Sequence, residues 1–269
     1  MKHSLKKDLK KYKVKDYISS NESFNLFLDK QTDIVWTEVG RNHQHEKYYK
    51  SVNYIPHHKS KGLLGFIYTF SQRIMFSFKL FFLNKYLNQN SVVVDYGSGD
   101  GEFSGYLNKR GFNIIAYDPL TANNHLEVSD NQADMFMFWH VLEHLPDIDD
   151  VIFKTTKKLK KNGLVVIAVP NRNSLDAQIF NKHWAAWDVP RHLYHFNNKS
   201  LIKYMSKHNF RLLSKHPLIL DSFYISYLSL KNKGSMFLWG PCLLIGFLSN
   251  FLALFTSNYS SSFYVFSKD

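Results

Sequence analysis

Val92-Val93-Val94-Asp95-Tyr96-Gly97-Ser98-Gly99-Asp100-Gly101 is an apolar run that ends in three closely set glycines. A short valine-rich stretch reads as a buried strand. The glycines read as a tight turn that brings backbone close to a ligand, where a Cβ would obstruct it. Residues 102–110 continue as a helix. Outward from there, residues 113–117, 133–139, 164–169, 210–217 and 262–267 have strand character, and residues 148–160 and 199–208 have helical character. Asn162-Gly163 reads as the stop signal of the 148–160 helix. Strands alternating with helices predict a doubly wound, Rossmann-like α/β fold with a mostly parallel sheet.

Two cofactors suit a glycine turn after a strand. The dinucleotide fingerprint is G-x-G-x-x-G and holds a pyrophosphate at the helix N-terminus. Here the spacing is G-x-G-x-G, and Asp95 stands two residues before the first glycine. A carboxylate there repels a diphosphate and suits the ammonium of a methionine moiety. Asp118, at the end of the second strand, is placed to accept hydrogen bonds from ribose hydroxyls. S-adenosylmethionine is therefore the expected cofactor, with Asp95, Gly97, Ser98, Gly99, Gly101, Asp118 and Pro119 as candidate binding residues. Trp139 and His140 join them from the end of the fourth strand. An NAD-dependent oxidoreductase is the disfavoured alternative, and a non-catalytic adenosylmethionine-binding protein a third reading.

Further motifs narrow the likeness. Trp139-His140-Val141-Leu142-Glu143-His144-Leu145-Pro146-Asp147 follows the fourth strand, Val169-Pro170-Asn171 ends the fifth, and Asp188-Val189-Pro190-Arg191-His192-Leu193-Tyr194-His195-Phe196 comes later. With the glycine turn, these resemble the class I S-adenosylmethionine-dependent methyltransferases, in particular a bacterial group carrying the W-H-V-L-E-H-L segment. Tyr48-Tyr49 and Tyr54-Ile55-Pro56-His57 resemble the stretch that precedes the catalytic core in that group. The resemblance implies a seven-stranded sheet whose last, antiparallel strand lies beside the fifth. It also implies an N-terminal zinc ribbon in many relatives, but its paired cysteines are missing here, since Cys242 is the sole cysteine. The link between the second and fourth strands is short, leaving little room for a strand near Leu126–Val128. Glu127 and Asp130 are candidates for the adenine contact.

Methyl transfer from a sulfonium is an in-line displacement, so the protein mainly positions and desolvates. A hydroxyl acceptor gains from a base, and histidine is the natural one near neutral pH. His192 and His195, in what reads as a loop after the fifth strand, are the favoured bases, with His144 as a third candidate or a structural anchor. A metal held by His140, Glu143 and His144 is allowed by ligand type but demanded by no spacing rule, and no metal is expected.

The chain of 269 residues divides on this reading into an N-terminal extension, 1–62, and a methyltransferase domain, 63–269, with an apolar helical insertion near 222–256. Residues 65–86 read as a long aromatic helix, and Phe24, Leu26 and Leu28 alternate as in a strand. The net charge of +12 favours acidic surfaces. The insertion has no charge from Ser235 to Phe255 and Lys231 and Lys233 just before it. A spanning helix there would strand residues 262–267 on the far side of the membrane. Peripheral contact with an anionic membrane is therefore expected, and with it a small-molecule or lipid-like acceptor methylated on O or C. No RNA-binding module and no N-P-P-Y motif is present, so nucleic acid is not expected. The start of the chain is polar and basic without a secretory signal, so the cytoplasm is the expected location, with contact at the inner face of the membrane. The oligomeric state is open.

Overall fold

A computed structural model describes residues 11–40, Tyr48, 63–119 and 126–269. Tyr49, the Tyr54–His57 motif and the lysines before Lys11 lie outside the described residues. The main sheet has six strands: β4 (Val92–Tyr96), β5 (Asn113–Tyr117), β6 (Ala133–Trp139), β7 (Leu159–Pro170), β9 (Phe210–Pro217) and β10 (Ser261–Lys268), ordered β5-β4-β6-β7-β10-β9. β4 pairs in parallel with both β5 and β6, and β6 with β7. β10 runs antiparallel between β7 and β9. The fold is the expected α/β architecture.

The strand count differs from expectation. The described residues hold six strands in this sheet, not seven, because the link from β5 to β6 is too short for two crossovers of a dozen or more residues each. Val128 is buried there, and its carbonyl accepts from the Lys158 ammonium instead of from a neighbouring strand. The helix expected over 148–160 also ends early. α3 (Ile148–Lys158) stops where Leu159 enters β7, opposite Ala133. Asn162, with φ 60°, is a bend within the strand rather than a helix stop.

Alternation sends successive residues to opposite faces of the sheet. Val94, Phe136, Phe138, Val165, Ile167, Tyr264 and Phe266 meet α3 and α5 (Asn198–Lys207) on one side. Val93, Met135, Met137, Val166, Phe263 and Val265 meet α1 (Leu63–Leu83) and α2 (Glu102–Asn108) on the other. The neighbours β5 and β6 lie on opposite sides of β4, so the chain reverses its direction of travel there. The crevice at the carboxyl ends of such strands is where open α/β sheets bind ligands.

A second, antiparallel sheet of four strands comprises β1 (Lys11–Lys15), β2 (Ser23–Asp29), β3 (Ile34–Thr37) and β8 (Tyr194–His195). Its fourth strand comes from the C-terminal half, so the segment read as a loop after the fifth strand is in part a strand paired with β3. Buried Arg191 fastens this sheet, donating to Asp16 at 3.0 Å and to Asp188 at 2.6 Å. The expected insertion is two helices, α6 (Asp221–Asn232) and α7 (Trp239–Thr256), packed on each other and on α4 (Leu175–Phe180). The fully buried Asp176 carboxylate ties them down, accepting from Trp184 Nε1, Ser249 and Ser260 at 2.7–2.8 Å.

Candidate active site

The glycine turn leaves β4 with Gly97, Gly99 and Gly101 all in the left-handed region, at φ 76°, 53° and 70°. At Gly97 a Cβ would also lie 2.4 Å from a Val141 methyl, so only glycine fits. Four of the turn's amides are already committed. Gly97 and Ser98 donate to the Tyr117 carbonyl at 2.7 and 3.1 Å, Gly99 to Asp118 Oδ2 at 2.9 Å, and Gly101 to the Ser98 carbonyl at 2.9 Å. A pyrophosphate cradle needs such amides pointed at the ligand. The turn instead spends them on holding Asp118 and β5 beside the crevice, which argues against a dinucleotide.

Asp95 is 3% exposed and accepts from the Ser104 hydroxyl of α2 at 2.6 Å. Burial raises its pKa, and Ser104 and the nearby Lys79 only partly offset this. Lys79, from α1, lies 4.0 Å from the Trp139 ring centre. Burial lowers its pKa to about 8 despite the charges of Asp221 and Asp95. Trp139 packs edge-on against Phe103 and Phe263, and its buried Nε1 has no hydrogen-bond partner among the described residues. The crevice therefore holds a desolvated carboxylate, an aromatic wall and an unused donor. Pro119 is half-buried beside Asp118.

His140 follows Trp139 with φ 55°. Its Nδ1 is 3.4 Å from Glu143 Oε1 and its Nε2 3.3 Å from Asp221 Oδ2. Burial opposes its charge, but the two carboxylates outweigh it and push its pKa up to about 9. His140 is thus a cation at neutral pH and no base. Glu143 is 1% exposed. Burial favours its neutral form, yet contact with His140 and the charges of His192, His140 and His144 outweigh it, so its pKa is lowered.

The other three histidines meet behind Glu143. The His144 and His192 rings are edge-to-face at 4.5 Å, with His195 6.3 Å from His192. Burial, reinforced by His192, brings His144 down to about 4. Thr37 donates its one hydroxyl proton to the His192 carbonyl at 2.7 Å, so the 2.9 Å contact between Thr37 Oγ1 and His195 Nε2 must carry the histidine's proton. His195 is then a neutral ring fixed to the small sheet, its pKa held well below the usual range by burial and by the charges of His192, Arg172 and His144. Glu143, His192, His195, Tyr194, Arg172 and Trp184 border a narrow gap with no room for a water molecule.

The structure brings the expected cofactor residues to the carboxyl ends of the neighbouring strands β4, β5 and β6, and His144, His192 and His195 to a second cluster. Trp139, His140 and Glu143 run from one to the other. Sequence reading passed over Lys79 as a cation of the crevice, and it did not single out Asp221 or Asp16. Their partners lie far off along the chain, and no local spacing marks them.

A family model described as a methyltransferase domain matches residues 68–215, more than half of the chain. The chain belongs to this methyltransferase family. Among curated proteins, the ubiquinone biosynthesis O-methyltransferase of Rickettsia bellii is 26% identical over 101 residues, covering 30% of this chain and 42% of that protein. The enzyme of the same name from Hydrogenovibrio crunogenus is 25% identical over 108 residues, covering 32% and 45%. The methyltransferase chain thus matches less than half the length of these relatives. Among solved structures, the 1,6-didemethyltoxoflavin-N1-methyltransferase of Burkholderia thailandensis superposes with a TM-score of 0.51 at 13% identity, covering 94% of this chain and 97% of that one. That likeness is one of fold.

Proposed function

We propose that this methyltransferase uses S-adenosylmethionine to methylate an oxygen or carbon of a small, apolar acceptor at an acidic membrane surface. The observation that carries the reading is the buried Asp95 carboxylate beside a turn whose amides are already spent. Such a site lacks what a diphosphate needs and has what a cationic amino-acid tail needs. Asp95 would face the methionine end, and Asp118 would accept from the ribose, since a carboxylate offers about four acceptor positions. Trp139 Nε1 and His140 line the same crevice. When bound, the cofactor supplies an activated methyl group on a sulfonium, so the protein has only to orient the acceptor and handle its proton.

For that proton we assign His192. Its Nδ1 faces the Ala186 carbonyl at 2.9 Å, which leaves the lone pair on Nε2, whereas His144, held near pKa 4, is a weak base. His195 is engaged with Thr37 and acts as a positioning residue. The W-H-V-L-E-H-L segment supports placing the chain in the bacterial group that carries it, with the ribbon cysteines lost.

The membrane part of the reading rests on α7, which is built inside out. Its small residues Cys242, Gly246, Ser249 and Ala253 face the protein, and a Cβ on Gly246 would lie 2.5 Å from Phe223. Its large residues face outward: Trp239 is 64% exposed, Phe247 61% and Phe255 76%, continuing the exposed Met236 and Phe237. A helix in water buries the large side chains instead. By length and composition α7 is able to cross a bilayer. It leads directly into β10, however, which pairs with β7 and β9 in the core sheet, so a single crossing would split the sheet. A helix lying in the interface, with exposed Lys231 and Lys233 at its entry, satisfies both constraints.

Two assays test the proposal. Tritiated methyl transfer from S-adenosylmethionine into an organic extract of bacterial lipids should exceed transfer into the aqueous fraction. Protein at low salt should sediment with phosphatidylglycerol vesicles and not with neutral ones; recovery of all protein in the supernatant would remove the membrane from the account.

A further inference from the structure

His140 and Asp221 meet at the rim of the crevice, Nε2 to Oδ2 at 3.3 Å, with side chains 36% and 26% exposed. Asp221 also attracts Lys79, the cation over Trp139, so the first turn of α6 stands beside the crevice. The residues around Asp221 are apolar and turned outward: Ile219 is 38% exposed, Leu220 36% and Tyr224 64%. They do not stand alone. Asn250 of α7 donates to the Ile219 carbonyl at 3.0 Å and to the Ser222 hydroxyl at 2.9 Å. Side chains three and four positions from Asn250 share its side of the helix, and these include the exposed Phe247 and Leu254. One apolar surface therefore runs from the outward side of α7, across the start of α6, to a polar pair at the crevice rim. Apolar surface continuous over two elements marks an interaction site.

From this continuity we propose that the rim is the entrance for the acceptor and that it opens onto the bilayer. The acceptor that fits it is a hydroxyl-bearing amphiphile with a long apolar tail. The tail lies against Leu220, Tyr224, Phe247 and Leu254, and the head passes His140 and Asp221 toward the methyl donor. Asp221 has acceptor positions for a hydroxyl beyond the one facing His140, since a carboxylate offers about four. Each methylene drawn from lipid into water costs free energy, and an entrance at the interface lets the head react while the tail stays in lipid. The inference rests on the membrane reading above and adds an orientation to it. Among the ways α7 can lie on a bilayer, it selects the one that places Leu220 at the lipid. The exposed Lys231 and Lys233 at the other end of α6 suit anionic headgroups.

Nitroxide labels on Leu220→Cys, Phe247→Cys and Phe153→Cys test the orientation in full-length protein on phosphatidylglycerol vesicles, with wild type, whose Cys242 is buried, as the blank. Phe153 is exposed on α3, across the core sheet from Leu218. Collisions with oxygen, which concentrates in lipid, should dominate in the Leu220 and Phe247 variants, and collisions with a water-soluble nickel chelate in the Phe153 variant. Nickel access at Leu220 with a lipid-facing label at Phe247 overturns the entrance and leaves membrane contact standing. Nickel access at Phe247 as well removes the membrane reading, and the entrance with it. Function is read with Leu220→Asn, an exchange that supplies a favoured helix N-cap. This variant should sediment with the vesicles like wild type. Its transfer of tritiated methyl into bacterial lipid extract carried in those vesicles should fall by about 10-fold, the scale of one lost apolar contact in a binding site. Phe153→Asn should match wild type in both respects. Undiminished transfer by Leu220→Asn overturns the entrance, whereas no transfer by wild type strikes the methyl-transfer reading itself.

Discussion

Lys79 gives the sharpest energetic test of how the crevice is built. Its ammonium sits half-buried over Trp139, and its pKa is lowered from 10.5 to about 8, burial outweighing the attraction of Asp221 and Asp95. Such a drop corresponds to about 3 kcal/mol, which solvent screening at a half-buried position reduces to roughly 1–2 kcal/mol. The sign follows from linkage: between pH 8 and 10.5 the unfolded chain holds the Lys79 proton more tightly than the folded one. Stability from this residue is therefore lowest below pH 8 and rises as the pH climbs toward 10.5. Lys79→Met removes the charge while keeping an apolar body against Trp139. The variant should be more stable than wild type at pH 7 by about 1–2 kcal/mol, or roughly 2–8 °C in Tm for a chain of this size. At pH 10 the gap should close. Thermal unfolding of both proteins at the two pH values decides it. A variant less stable at pH 7, or a gap that persists unchanged at pH 10, would refute the picture of a desolvated cation beside Asp95.

Gly97→Ala meets Val141 at 2.4 Å and requires φ 76° of an alanine. It should lower stability by about 1–3 kcal/mol, with part of the loss recovered in the double variant with Val141→Ala; thermal melts of the three proteins measure this. Asp176→Ala leaves Trp184 Nε1, Ser249 and Ser260 without their shared acceptor. A loss of about 3–5 kcal/mol is expected in denaturant titration, together with faster proteolysis in the α6–α7 region. Phe247→Ser with Phe255→Ser should abolish vesicle sedimentation and leave the melting temperature within about 2 °C, because both side chains are already exposed.

How far residues announced this arrangement depended on the reach of their partners. Val92–Tyr96, Asn113–Tyr117 and Ala133–Trp139 were legible because local apolar pattern and glycine punctuation alone define them. Asn162-Gly163 misled because sheet pairing overrode a local stop signal, drawing Leu159 into register with Ala133. Among the described residues the expected third strand is absent, the link being short and the Val128 carbonyl bonded to a lysine instead. The histidine-rich run from Asp188 to His195 was visible as chemistry, but its division of labour was not. Thr37 on the small sheet commits His195 and Asp16, just after β1, takes Arg191, both reaching from far along the chain, while the local Ala186 carbonyl turns His192 and Asp188 adds a second hold on Arg191. The uncharged length of α7 was plain in the sequence, whereas its small residues facing inward emerged only from packing against α6.

The central claim concerns what the crevice between Asp95 and Asp118 holds, and calorimetric titration addresses it directly. Wild-type protein should bind S-adenosylhomocysteine at one site and give no heat with NAD. Asp118→Ala, deprived of hydrogen bonds to a charged acceptor worth about 1.5–3 kcal/mol each, should bind roughly 10–100-fold more weakly. Heat from NAD but none from S-adenosylhomocysteine, or an unchanged affinity in Asp118→Ala, would contradict the account.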